Sequence, residues 1–90
     1  MPEPGALHHI SSAVVTVVPA RSEAVADAIA QLPETEVHYR HGSKIVVVLE
    51  GPDSDVIGGR LALISQMGGV LSATLVYEQI EPLDSLGAAS

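Results

Sequence analysis

Two segments rich in β-branched and small hydroxyl residues constrain the fold of this chain most. One runs from His9 to Val15 and the other from Gly69 to Tyr77. A strand that packs one face on a core and turns the other to water carries strongly polar side chains on its outer face. Here the outer face would carry Ser, Thr, Val and Ile with almost no charge. An exposed sheet face of this composition predicts a docking surface.

The composition limits the protein to one small domain without disulfides. The chain has 90 residues, 47% of them hydrophobic, with no Phe or Trp, only two Tyr and no Cys. A domain of this size leaves much of its surface exposed, so this hydrophobic content is high. The core must be built from Val, Leu, Ile and Ala. The absence of Cys excludes disulfides, thiolate catalysis and Cys-ligated metals.

Charge and hydropathy exclude several partner classes. The net charge of −7 and the pI near 4.7 repel phosphate backbones, and the four basic residues are scattered, so we expect no nucleic acid partner. The N-terminus has no secretory signal pattern. The longest apolar run, Ala13 to Ala20, is too short to span a bilayer. We therefore expect a cytoplasmic protein that does not insert into a membrane.

Hydrophobic periodicity predicts the order strand, helix, strand, strand, helix, strand. The strands are predicted at residues 8–18, 36–40, 44–50 and 70–79. The first helix has apolar residues at i, i+3, i+4 and i+7 and stops at Pro33. The second is capped by Asp53 or Ser54 and ends at Gly68-Gly69, and its predicted buried stripe is Ile57, Leu61, Ile64 and Met67.

This order predicts an α+β, ferredoxin-like βαββαβ domain over residues 8–79. Right-handed crossovers place both helices on one face of a four-stranded antiparallel sheet. Residues 1–7 and 80–90 are predicted to be flexible termini. The sheet face away from the helices, named the open face here, has no cover within the chain.

Strict alternation assigns each strand residue to one face of the sheet. The helix side is then predicted to hold Ala13, Val15, Val17, Val37, Tyr39, Ile45, Val47, Leu49, Ala73, Leu75 and Tyr77. The open face is predicted to hold Ile10, Ser12, Val14, Thr16, Glu36, His38, Arg40, Lys44, Val46, Val48, Glu50, Ser72, Thr74, Val76 and Glu78. The centre of the second set is apolar and its edges carry charge.

The same segments carry a family resemblance. The order H-I-S-S-x-V-V, then a helical segment, then K-I-V-V-V-L-E and G-V-L-S-A-T-L-V-Y-E-Q resembles the NapD family over about His8 to Gln79. These are small maturation chaperones of the periplasmic nitrate reductase. The resemblance implies a ferredoxin-like fold, a cytoplasmic location and binding of the twin-arginine signal peptide of the nitrate reductase catalytic subunit.

Residue chemistry and resemblance together predict a peptide-binding chaperone. An apolar floor with an acidic rim complements a peptide that has paired arginines followed by an apolar stretch. While bound, that leader could not engage the export machinery before cofactor insertion and folding are complete. The predicted floor is Ile10, Val14, Val46, Val48 and Val76, with Ser12, Thr16, Ser72 and Thr74 as polar contacts. Glu50 and Glu78 are the predicted arginine partners, and we expect a monomer.

Metal and enzyme functions fit the sequence less well. The four histidines have no Cys beside them, and nearby carboxylates lack ligand spacing, so no metal or other cofactor is predicted. Ser11, Ser12, Ser72 and Thr74 have no nucleophile-elbow motif and no identifiable base. An acylphosphatase-like activity would need an anion-binding arginine loop, which is missing. The protein is therefore predicted not to be an enzyme.

Two other binding functions are compatible with this fold. In a small dimeric regulatory domain, the open face would pair with a second copy and bind an amino acid at the interface. A metallochaperone would need a Cys pair that the chain lacks. The Gly58-Gly59 pair within the second helix indicates a close approach to a partner or to the first helix, or else a weak helical segment or a late helix start.

Overall fold

The computed structural model describes the backbone from Leu7 to Pro82 and the side chains from His8 to Glu78. Its elements are β1 (Leu7–Val17), a 3₁₀ turn (Pro19–Arg21), α1 (Ser22–Ala30), β2 (Thr35–His41), β3 (Lys44–Gly51), α2 (Ser54–Ser65) and β4 (Val70–Pro82). The strands form one sheet in the order β2-β3-β1-β4, and every neighbouring pair is antiparallel. This confirms the predicted ferredoxin-like α+β fold.

The predicted element boundaries differ most at the end of β4. Its backbone pairing with β1 continues to Pro82, beyond the predicted end at Gln79. The last residues of β4 pair with the first residues of β1, so the two strands extend past the end of β3. Of the termini predicted to be flexible, residues 1–6 and 83–90 lie outside the described residues.

The core lies between the sheet and the two helices. β1 and β3 contribute their alternate residues, Ala13, Val15, Val17, Ile45, Val47 and Leu49, which are completely buried. The helices contribute Val25, Ala26, Ile29, Ile57 and Ile64. All are aliphatic, as the composition requires. The period-two prediction for the two central strands is therefore confirmed.

The second helix begins and packs as its sequence predicts. Asp53 is the N-cap, and its side chain accepts a hydrogen bond of 2.9 Å from the backbone N–H of Val56. Of the predicted stripe, Ile57 and Ile64 are fully buried, whereas Leu61 and Met67 are partly buried. A Cβ at Gly58 or Gly59 would meet nothing within 4 Å in the described chain. Close approach to the first helix is therefore the wrong interpretation of this pair.

The connection between α2 and β4 requires a glycine at its last residue, Gly69. Gly69 has φ of +96°, and a Cβ there would lie 2.6 Å from Cβ of Arg21. Its carbonyl accepts a 2.8 Å hydrogen bond from the N–H of Val18 at the end of β1. Only glycine combines this backbone conformation with so close a neighbour.

Candidate functional site

The open face is lined at its centre by alternate residues of β1 and β3. Cross-strand pairing places Ser12 opposite Val48 and Val14 opposite Val46. All four side chains are partly exposed, whereas their chain neighbours point into the core. Ile10 and Thr16 continue the same row of β1 toward its two ends. No helix of the described chain covers these residues, because α1 and α2 both pack on the core side.

An extra residue in β4 places the side chains after Val76 on the faces opposite to those predicted. Leu75 pairs with Ala13, but Tyr77 pairs with Ser12, which leaves Val76 as a β-bulge residue without a partner in the ladder. Because one inserted residue inverts the alternation, Tyr77 lies on the open face. Glu78 pairs with Ser11 and therefore lies on the helix side. The predicted open-face position of Glu78 is therefore wrong, whereas Val76, which has no partner, has no regular place on either face.

A second bulge has the same effect in β2. Val37 pairs with Val47, and Tyr39 pairs with Val46, so His38 is the extra residue. Tyr39 therefore lies on the open face and Arg40, opposite Ile45, lies on the helix side. This corrects the predictions for Tyr39 and Arg40, and it leaves His38 without a regular place on either face.

The two bulges bring both tyrosines onto the open face, in a chain that has no Phe or Trp. Tyr39 and Tyr77 are each 57% exposed and lie on the two edge strands. The Tyr39 ring stacks with that of His41, with 6.3 Å between ring centroids. Strict alternation predicts both tyrosines on the helix side, and this prediction is wrong. Exposed aromatic rings are typical anchors for a protein partner.

Pairing across the four strands orders the open face into cross-strand rows. In the order β2, β3, β1, β4, one central row is Glu36, Val48, Ser12 and Tyr77. The other central row, in the same order, is Tyr39, Val46, Val14 and Thr74. The row at the end of β1 is His41, Lys44, Thr16, Ser72. Ser72 and Thr74 thus take the predicted open-face positions. The centre is apolar and aromatic, with hydroxyl groups along β1 and β4.

The two ends of the open face carry opposite charge. Glu36 and Glu50 lie toward the start of β1, where Glu50 pairs with Ile10. Lys44 lies at the other end, where its ammonium donates a 2.9 Å hydrogen bond to Oγ1 of Thr16. The predicted acidic rim is therefore confined to one end of the face.

Glu50 is held in place by two neighbours. Its Oε1 lies 2.7 Å from Nε2 of His8, and its side chain remains 45% exposed. On the other side of the sheet, the Arg60 guanidinium donates a 2.6 Å hydrogen bond to the Glu50 carbonyl oxygen. Glu50 is thus a positioned carboxylate at the surface, able to accept a further donor on its second oxygen.

The helix side of the sheet holds a separate polar group. The buried Ser11 hydroxyl donates a long 3.5 Å hydrogen bond to Oε2 of Glu78. The adjacent inward residue of β1, His9, is also buried, and its Nδ1 has no partner among the described residues. No three metal-ligating side chains come together in the part of the chain that the structure describes. None of its helices is long and apolar enough to cross a membrane.

A ferredoxin-like sheet with one uncovered, partly apolar face defines a small α+β domain equipped to bind another molecule on that face. The chain belongs to the NapD family, because the family model described as "NapD protein" matches residues 8–82. The chain is 51% identical over 82 residues to the chaperone NapD of Paracoccus pantotrophus, covering 91% of this chain and 73% of the relative.

A solved structure supports the same membership. The chain is similar to the solution structure of the E. coli Tat proofreading chaperone NapD, with a TM-score of 0.74 and 26% identity. The match covers 80% of this chain and 78% of the E. coli chain. Family, relative and fold agree, so the resemblance seen in the three sequence motifs is confirmed.

Proposed function

We propose that the open face binds the twin-arginine signal peptide of the periplasmic nitrate reductase catalytic subunit in the cytoplasm. Binding holds back export until cofactor insertion and folding of that subunit are complete. The protein acts by occlusion and needs no catalytic group or cofactor of its own. The similarity to relatives named as chaperones supports this function.

One observation carries the proposal: the uncovered sheet face has an apolar centre and a carboxylate-bearing end. Ile10, Val14, Val46 and Val48 form the floor, and Tyr39 and Tyr77 add aromatic surface at its edges. Contact with the apolar stretch of a leader is worth about 25 cal/mol per Å² of buried apolar area. Ser12, Thr16, Ser72 and Thr74 offer hydroxyls to polar groups of the peptide. Glu50 and Glu36 offer carboxylates to its arginines.

A calorimetric titration with a synthetic twin-arginine leader tests this function. We expect saturable one-to-one binding by a monomer, followed in parallel by sedimentation to determine the mass. The matched control is a leader of the same composition in scrambled order, which keeps charge and hydropathy but separates the two arginines. A stable dimer that ignores the leader would instead support a regulatory domain that pairs through its open face. Equal binding of both peptides would show a nonspecific apolar surface.

A further inference from the structure

We infer that the leader binds in one direction, with its arginines at the Glu36–Glu50 end and its chain running parallel to β1. This inference rests on the proposed function and specifies how the same face is used. It follows from the charge difference between the two ends of the open face, which lies along the strand direction.

The acidic end combines side chains from several elements. Glu36 of β2 and Glu50 of β3 lie on the open face, and His8 of β1 lies 2.7 Å from the Glu50 carboxylate. A leader arginine approaching the open face at this end meets the exposed carboxylate of Glu36 and the half-exposed carboxylate of Glu50, which favours its encounter with this end.

The opposite end is basic. Lys44 is fixed over β1 by its hydrogen bond to Thr16, and His41 pairs with Lys44 across the hairpin. The other Lys and Arg residues of the chain are not on the open face: Arg40 and Arg60 are on the helix side, and Arg21 is in the 3₁₀ turn. A leader in the reverse direction would place its arginines against Lys44 and leave Glu36 and Glu50 unmatched.

The dimensions of the face agree with a leader lying along the strands. Glu50 and Lys44 are six positions apart on β3, which spans roughly 20 Å at the rise of a strand. A helix covers that length with about 13 residues and is about 10 Å wide. If the leader is helical, its dipole favours the same direction, because its positive N-terminal end faces carboxylates and its negative C-terminal end faces Lys44.

Paramagnetic labelling of the leader tests the direction without altering the protein. One leader carries a nitroxide before its arginines and another carries it after the apolar stretch. We expect the first label to abolish the amide signals of Ile10 and Glu50 while sparing Thr16 and Lys44, and the second label to do the opposite. The reversed pattern, or equal loss at both ends, would overturn the inference. A titration without saturable binding would remove the proposed function, and the direction with it.

A charge exchange provides a second test. The double variant Glu36→Lys, Lys44→Glu keeps the net charge, and both original side chains are exposed, so the fold should be retained. We expect leader affinity to fall about tenfold, since exposed ion pairs contribute up to about 1 kcal/mol each. The matched control is Glu23→Lys, Lys44→Glu. It keeps the substitution at Lys44 but replaces an exposed glutamate of α1 in place of Glu36. A fall in affinity for the control equal to that for the exchange would show that the position of Glu36 does not matter.

Discussion

Tyr77 pairs with Ser12 across β1 and β4, and both side chains lie on the face of the sheet away from the helices. This pairing depends on the single extra residue Val76, which inverts the alternation of β4. The same residue turns Glu78 to the helix side, where its carboxylate accepts from Ser11. One bulge therefore exchanges an acidic residue for an aromatic one at the edge of the proposed binding face.

Substitution of Tyr77 by Ser should weaken leader binding while the domain stays folded. Removing a ring that anchors a partner costs more than about 1 kcal/mol, which is at least a fivefold loss of affinity. The matched control is Leu75→Ser on the same strand, because Leu75 is 40% exposed but lies opposite Ala13 on the helix side. Calorimetry should show the loss for Tyr77→Ser only. Equal losses would place the leader along the edge of β4.

Adjacent valines of β3 test the assignment of the two faces. Val48→Asp should abolish leader binding and leave the domain folded, since this side chain is partly exposed on the open face. Val47→Asp should unfold the domain, because Val47 is 0% exposed and a buried unpaired carboxylate costs several kcal/mol. Circular dichroism and leader titration of both variants provide the comparison. A folded Val47→Asp protein would show that the core tolerates water at this position.

Sequence patterns predicted the central strands well and the edge strands poorly. β1 and β3 keep period-two alternation opposite one another, so Ala13, Val47 and their equivalents were assigned correctly to the core. The edge strands contain the bulges at His38 and Val76, and β4 has a further register shift at Leu71. An inserted residue has no required composition, and neither His38 nor Val76 is a glycine or a proline that would mark an irregular strand. Only cross-strand pairing shows where the alternation changes.

The bulges also decide which residues of the candidate site the sequence predicts. Its centre on β1 and β3 and its Ser72 and Thr74 positions were predicted correctly as open-face residues, because they lie in regular stretches. Its aromatic edges were missed, because alternation counted across a bulge gives the wrong face. The charge difference between the two ends of the face was also missed, because only the strand register shows that Glu36 and Glu50 lie at the same end.

Two adjacent glycines, Gly68 and Gly69, should differ in how well they tolerate alanine. Gly69→Ala should destabilise the domain by about 2 kcal/mol or more, since φ is +96° and the new Cβ would clash with Arg21. Gly68→Ala should have little effect or stabilise the domain, because a Cβ there meets nothing within 4 Å. Urea denaturation of both variants measures the difference in unfolding free energy. A tolerated Gly69→Ala would mean that the corner between α2 and β4 relaxes easily.

Glu50 should distinguish arginine from lysine in the leader. Arginine grips a carboxylate with two parallel hydrogen bonds, whereas lysine offers a compact point charge. Changing both leader arginines to lysine should therefore weaken binding by about 1–2 kcal/mol, roughly five- to thirtyfold. In a double-mutant cycle, Glu50→Gln should shrink this difference, since it removes the carboxylate that His8 holds at the surface. Glu78→Gln is the matched control, because its carboxylate lies on the helix side and should leave the difference unchanged. If the lysine leader binds the original protein as tightly as the arginine leader, recognition resides in the apolar stretch alone.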